Sequence, residues 1–280
     1  MSWTAVTNGV TTQTGEIVSP FDYETYVGHS GNTTGDYSIG FNNGEGYRCA
    51  VVSNRRMFVG NVRRRDKNGN ARIYEDRVCY SPANKLDTFP ATNYLDLGFN
   101  DGQAITALSA YGDRLFVFKD NTLYIVNIAG GVDTQWQLEG SYNNYGVSQP
   151  CNVIQTDIGV VWVNANGLFL FDGNRINNLI DGKIEPSEWY AFVQSDSIVA
   201  YYQPTRKIMV MKTASGTGSD DARTYVYNIR TQAFSIMELP LTENYSRTNA
   251  INDVYGNAFI MGGVATPTTY TNGFNKKDQG

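Results

Sequence analysis

Two stretches, YGDRLFVFKDNTLYIVN (Tyr111–Asn127) and IGVVWVNANGLFLFDGN (Ile158–Asn174), share one plan. Each runs a short polar turn, an apolar run, a second polar turn and another apolar run. Leu123 and Leu168 occupy matching places 45 residues apart. Short apolar runs punctuated by Asn, Asp and Gly are what antiparallel hairpins require, since those three residues tolerate positive φ in tight turns.

The plan recurs along the chain. NRRMFVGNV (Asn54–Val62) with DRVCYS (Asp76–Ser81) repeats it around a longer turn, and TRKIMVMK (Thr205–Lys212) with TYVYNIR (Thr224–Arg230) repeats it again. YGNAFIMGG (Tyr255–Gly263) opens a fifth copy. Each copy follows a further strand-like run (YRCAVV, AITALSAY, NVIQTD, SIVAYY, NAINDVY), and the middle copies precede an outer one (TQWQLEG, RINNLID, AFSIMEL). Four short strands per unit of about 45–50 residues is the content of a propeller blade. The sequence therefore predicts an all-β chain, a β-propeller of five clear four-stranded blades over roughly 46–103, 104–151, 152–196, 197–246 and 247–280. A β-sandwich is the alternative, but sandwiches do not keep a fixed four-strand period. Residues 9–45 read either as a degenerate sixth blade or as an excursion. Helical periodicity is confined to PSEWYAFVQ (Pro186–Gln194), which opens on Pro at its first turn. The fifth unit, Thr248–Phe274, lacks an outer strand. SWTAVTNG, with Trp3 standing where Trp136 and Phe234 stand in complete units, is expected to close that blade from residues 1–8, because an unpaired edge exposes backbone groups.

Bulk composition agrees with this reading. In 280 residues there are 28 Gly, 19 Tyr and 13 Phe, a mixture of turn formers and strand-favouring aromatics. The net charge of −5 argues against a general nucleic-acid coat, which would be basic. Cys49, Cys79 and Cys151 are too few and too scattered for a disulfide framework and read as core-filling thiols, as in a soluble protein of a reducing compartment. No apolar run approaches the ~18–20 residues of a membrane span, and the polar start is unlike a secretory leader.

Catalytic patterns are sparse. His29 is the one histidine, so a histidine-based zinc site or a Ser-His-Asp relay would depend on it alone, and no G-x-S-x-G elbow accompanies it. SGTGSDDA (Ser215–Ala222) lacks the Gly-Lys-Ser/Thr ending of a phosphate loop. DKNGN (Asp66–Asn70) and DGNRINN (Asp172–Asn178) fall short of a calcium loop and read as turns. Asp157, Asp172, Asp181 and Glu185 could furnish a glycosidase carboxylate pair, but nothing in their spacing selects them. No catalytic residue, metal site or cofactor is expected.

Two features point to contacts. Arg55, Arg56, Arg63, Arg64, Arg65, Lys67, Arg72 and Arg77 crowd one hairpin of an otherwise acidic chain. Either they decorate a solvated hairpin or they meet an acidic neighbouring subunit or passing nucleic acid, with Arg63, Arg64 and Arg65 carried on a long turn. Tyr142 and Tyr145, in the loop reading GSYNNYGVSQP, could stack on sugars or anchor a protein interface.

NRRMFVGNV, DRVCYSPANKLDTFP, YGDRLFVFKDNTLYIVN, YGVSQPCNVIQTDIGVVWVNANGLFLFDGNRINNLI and SEWYAF, in that order, resemble structural proteins of tailed bacteriophages. The group includes the tail nozzle (tail tubular B) and tail stabilisation proteins of short-tailed, especially marine, phages. The resemblance spans Tyr47–Ala265 and implies a non-enzymatic propeller within a longer virion tail protein made in the host cytoplasm. It further implies a ring of six copies around the DNA exit channel, contacting portal-adaptor and tail neighbours and passing genomic DNA. A propeller that recognises a host surface glycan or receptor is the alternative expectation.

Overall fold

A computed structural model describes residues 46–65, 71–90, 92–130, 135–193, 197–212, 223–238, 245–264 and 273–276. The expected closing strand at Ser2–Val6, the segment 9–45, His29, and the turns Asp66–Asn70 and Ser215–Ala222 lie outside these residues.

The described residues form five antiparallel meanders in chain order, the blades of a β-propeller. The first contains β1 (Gly46–Ser53), β2 (Arg56–Arg65), β3 (Ala71–Tyr80) and β4 (Tyr94–Asp96). The second contains β5 (Ile105–Tyr111), β6 (Arg114–Lys119), β7 (Thr122–Asn127) and β8 (Gln137–Asn143). The third contains β9 (Val153–Thr156), β10 (Gly159–Asn164), β11 (Gly167–Phe171) and β12 (Ile176–Asn178), and the fourth β13 (Ser197–Tyr202), β14 (Lys207–Lys212), β15 (Arg223–Asn228) and β16 (Ala233–Glu238). The fifth shows three strands, β17 (Tyr245–Asn252), β18 (Ala258–Val264) and β19 (Gly273–Lys276).

The opening pair of phrases accounts for the hairpins at the centre of two blades. Leu115 pairs with Val126 and Phe118 with Leu123 across β6 and β7, while Val163 pairs with Leu168 across β10 and β11. These strands are buried on both faces, which is why they read as continuous apolar runs and not as alternating ones.

The described residues pack as two compact units, divided between Ser148 and Gln149. In the first, Phe58, Val78 and Tyr80 of one sheet meet Ile105, Leu115 and Val117 of the next, with Trp136 against Phe58 and Tyr80. In the second, the apolar residues of β10, β11, β13, β14 and β15 share a core with α1 (Pro186–Val193). Trp189 of α1 is fully buried, packs at a tilt against the rings of Phe192 and Tyr225, and donates its Nε1–H to the Asn164 carbonyl at 3.0 Å. A separate apolar cluster joins β13–β15 to Ala258 and Ile260 of β18.

Candidate binding surface

In each unit the turns between first and second strands are tied to the neighbouring blade by side-chain amides, carboxylates or backbone. In the first unit Asn54 donates through Nδ2 to Asp113 Oδ1 at 3.2 Å and to the Ile128 carbonyl at 3.1 Å. In the second, Tyr201 donates to Asp157 Oδ1 at 2.5 Å, Asn252 to the Tyr201 carbonyl at 2.6 Å, and the Gln203 N–H to the Gly256 carbonyl at 3.1 Å. Short turns rich in Asn and Asp would fray alone; coupled this way they are held at defined positions.

The Asn54 turn borders a cavity of about 230 Å3, lined by Asn54, Arg55, Arg56, Ala83, Asp113 and the segment Ile128–Gly130. Ser53 and Arg56 flank a two-residue turn in which both central φ angles are positive, +47° at Asn54 and +62° at Arg55. That is the pattern of a type I′ hairpin, whose second central position favours Gly. An arginine there costs roughly 1–2 kcal/mol of backbone strain. Arg56 is fixed by its Nη1 bond to the Ser81 carbonyl at 3.0 Å and by the Trp136 ring, 5.6 Å from its guanidinium carbon. The Arg55 guanidinium has no hydrogen-bond or ion-pair partner among the described residues, and Asp113 Oδ2 likewise has none.

The expected arginine cluster does not form one patch. Arg55 and Arg56 stand at one end of β2 and Arg63–Arg65 at the other, roughly 25 Å away at about 3.3 Å per residue. Arg63, Arg64 and Arg65 are also not on a turn. They pair with Ile73, Arg72 and Ala71 as the ladder of β2 and β3 runs on past a bulge at Asn61. Backbone pairing does not require apolar side chains, so this polar arm carries no hydrophobic signal. Arg63 Nε is buried without a hydrogen-bond partner. Arg77 serves the fold: it forks onto Asp96 with two 2.8 Å bonds and lies 3.7 Å from the Tyr94 ring centroid. The Asp96 hydrogen bond raises the already high Arg77 pKa.

Tyr142 is likewise on a strand, β8, opposite Leu123, because the outer strand runs on to Asn143; Tyr145 follows it in the loop. Their rings meet edge-on at 6.1 Å. Of the four carboxylates considered for sugar cleavage, Asp157 binds Tyr201 and pairs with Arg206 at 3.6 Å. Asp172 is used by its own loop, accepting from the Arg175 and Asn174 amides and Asn177; the Arg175 amide is the largest influence holding its carboxyl below the usual range. Asp181 is exposed, and Glu185 caps nothing but the start of α1 through its carbonyl, which accepts the Trp189 N–H. No two of them converge on a common point through these contacts.

Burial pushes the Cys49 thiol up to about 12, and its Sγ donates weakly to the Gly60 carbonyl, so it is an inert core group. Cys49, Cys79 and Cys151 form no disulfide. Among the described residues no group of His, Cys, Asp and Glu is arranged to hold a metal ion, and no helix is long and apolar enough to cross a membrane.

Sequence reasoning missed a buried ionic centre. Lys119, fully buried at the end of β6, donates to Asp76 Oδ1 at 2.5 Å, to both Asp101 oxygens at 2.8 and 2.9 Å, and to the Gly98 carbonyl at 3.0 Å. Gly98 sits at φ +61°, and a Cβ there would lie 2.3 Å from Tyr124 Oη and 2.4 Å from Asp101 Oδ2. The centre pins the loop between β4 and β5 to the second blade.

No protein-family model and no curated protein matches the chain. Solved structures similar to it include the extracellular domain of the one-component system BT4673 from B. thetaiotaomicron, at 12% identity and TM-score 0.47, covering 84% of this chain and 28% of that one. YCF48 from Cyanidioschyzon merolae is 9% identical at TM-score 0.47, covering 84% and 73%. The Neurospora crassa Pan2 WD40 domain is 8% identical at TM-score 0.44, covering 76% and 71%. The chain thus spans less than a third of the first of these, and likeness at this level carries no function across.

Proposed function

We propose that this chain is a non-enzymatic binding propeller that recognises a surface glycan or receptor through the turn edge of its first unit. One observation carries the reading. At the Asn54–Arg56 turn a guanidinium and a carboxylate oxygen stand without protein partners over a cavity, on a backbone whose strain a glycine would relieve. Strain retained where the fold does not need it is a mark of a functional position. The tied turns supply the rigidity that recognition requires, since little ordering remains to be done on binding. The resemblance to phage tail proteins supplies a setting, a virion meeting its host, in which such recognition has a use.

A second reading, a ring component lining the DNA exit channel of a virion tail, is favoured by the polar β2–β3 arm. An arginine-rich strand end projecting past the apolar ladder suits head-to-tail contact with an acidic face of another copy. Rim pairs of this kind contribute only about 0–1 kcal/mol each, so they would set register more than hold a ring together. The two readings separate in one experiment. Fluorescent chain is titrated onto host cells, and its position is located in a reconstruction of the virion. Saturable cell binding with density at the tail periphery is the expected result. No cell binding, with six-fold density around a channel, would replace the first reading with the second.

A further inference from the structure

We infer that the Arg55 cavity binds an acidic monosaccharide unit, a sugar bearing one carboxylate, as the terminal residue of the recognised glycan. The inference rests on the binding reading above and deepens it. Three features of the cavity select the ligand class together. Arg55 offers a planar fork of donors with no protein acceptor among the described residues, and such a fork matches a carboxylate in two parallel bonds. Asp113 offers Oδ2, an acceptor with no partner, while its Oδ1 is held by Asn54. A free carboxylate oxygen beside the cation favours a ligand that also brings hydroxyl donors. It disfavours a doubly charged phosphate, which it would repel. Ala83, Ile128 and Ala129 supply an apolar wall for the C–H face of a sugar ring.

Size narrows the choice further. A cavity of about 230 Å3 falls below the ~300–1,000 Å3 of sites that enclose a drug-sized molecule, so it admits one ring and not an oligosaccharide. A bare anion would satisfy Arg55 but leave Asp113 and the apolar wall unused. A neutral sugar would leave the cation unpaired.

The test is calorimetric titration of the full chain with glucuronic acid, glucose and acetate. Glucuronic acid is expected to bind with a Kd of about 1 mM, which ordinary ligand efficiency gives a molecule of that size. Glucose and acetate should each bind at least about tenfold more weakly, because each lacks one of the two polar contacts. Arg55→Gly should weaken glucuronic acid by about tenfold or more. Because Gly is the residue this turn favours, that variant keeps or raises Tm, so lost binding reads on the guanidinium. Arg55→Lys, which keeps the charge without the fork, should fall between the two. Equal binding of glucuronic acid and glucose, equal binding of glucuronic acid and acetate, unchanged binding in Arg55→Gly, or no binding of glucuronic acid would each overturn the inference. Host-cell binding separates this failure from the larger one. If Arg55→Gly binds cells as wild type does, the binding reading stands without an acidic sugar; if neither protein binds cells, that reading has failed too.

Discussion

Lys119 is a fully buried ammonium whose four acceptor atoms belong to two carboxylates and a backbone carbonyl. Removing the cation and keeping its bulk, Lys119→Met, leaves Asp76 and Asp101 facing each other unneutralised. Breaking a buried ion pair from one side typically costs about 3–5 kcal/mol. Both acids keep some solvent contact, so the lower end, about 3 kcal/mol by urea denaturation, is expected. Burial alone would raise the Asp101 carboxyl, but Lys119, the Gln103 amide and the Tyr124 hydroxyl together hold it below its ordinary value. A depressed folded pKa gives stability that is present above the unfolded value of about 3.9 and is lost as pH falls through the folded value. Melting temperature should therefore drop below about pH 4 in the wild type, and Asp101→Asn should make that drop shallower while lowering Tm at pH 7. Equal acid sensitivity in the two proteins would remove Asp101 from the account. None of this was legible in the sequence. Lys119 stands 43 and 18 positions from its acids, and within FVFKDNT it reads as the polar start of a turn. What marks it is burial, and burial belongs to the folded chain.

Strands were legible and their ends were not. The apolar runs locate β6, β7, β10 and β11 because each is buried on both faces, whereas the arm from Arg63 to Arg65 reads as a turn once the apolar pattern stops. Tyr142 was lost to a loop for the same reason, lying on an outer strand that is mostly exposed. Where a glycine is essential the reading sharpens. Gly159 follows the β9 turn at φ +145°, and a Cβ there would lie 1.8 Å from the Phe171 carbonyl oxygen, inside the β10–β11 pairing. Gly159→Ala should destabilise the chain by at least about 2 kcal/mol, seen as a lowered urea midpoint with unchanged slope. A midpoint within error of wild type would mean the two strands can part without cost. The polar arm permits the opposite expectation. Arg64→Glu with Arg65→Glu should leave Tm nearly unchanged and, on the binding reading, leave cell binding unchanged as well. Slowed assembly into rings would instead favour the second reading.

At the scale of the molecule the repeat is the legible quantity. A period near 45 residues, carried by Leu123 and Leu168, specifies meanders of four strands, and among the described residues four of the five sheets are such meanders. The cavity beneath the Asn54 turn was not legible, because it is assembled from residues on four separate segments, 54–56, 83, 113 and 128–130, that only blade packing brings together. The arginine count does not separate Arg55 and Arg56 from Arg63–Arg65, which stand at opposite ends of β2. Hydrogen exchange of the chain with and without host surface glycan tests the central claim most directly. Added protection is expected to be confined to peptides covering Asn54–Arg56, Asp113 and Ile128–Gly130, with none over Arg63–Arg65. Protection that falls instead on the β2–β3 arm, or that appears nowhere, would contradict it.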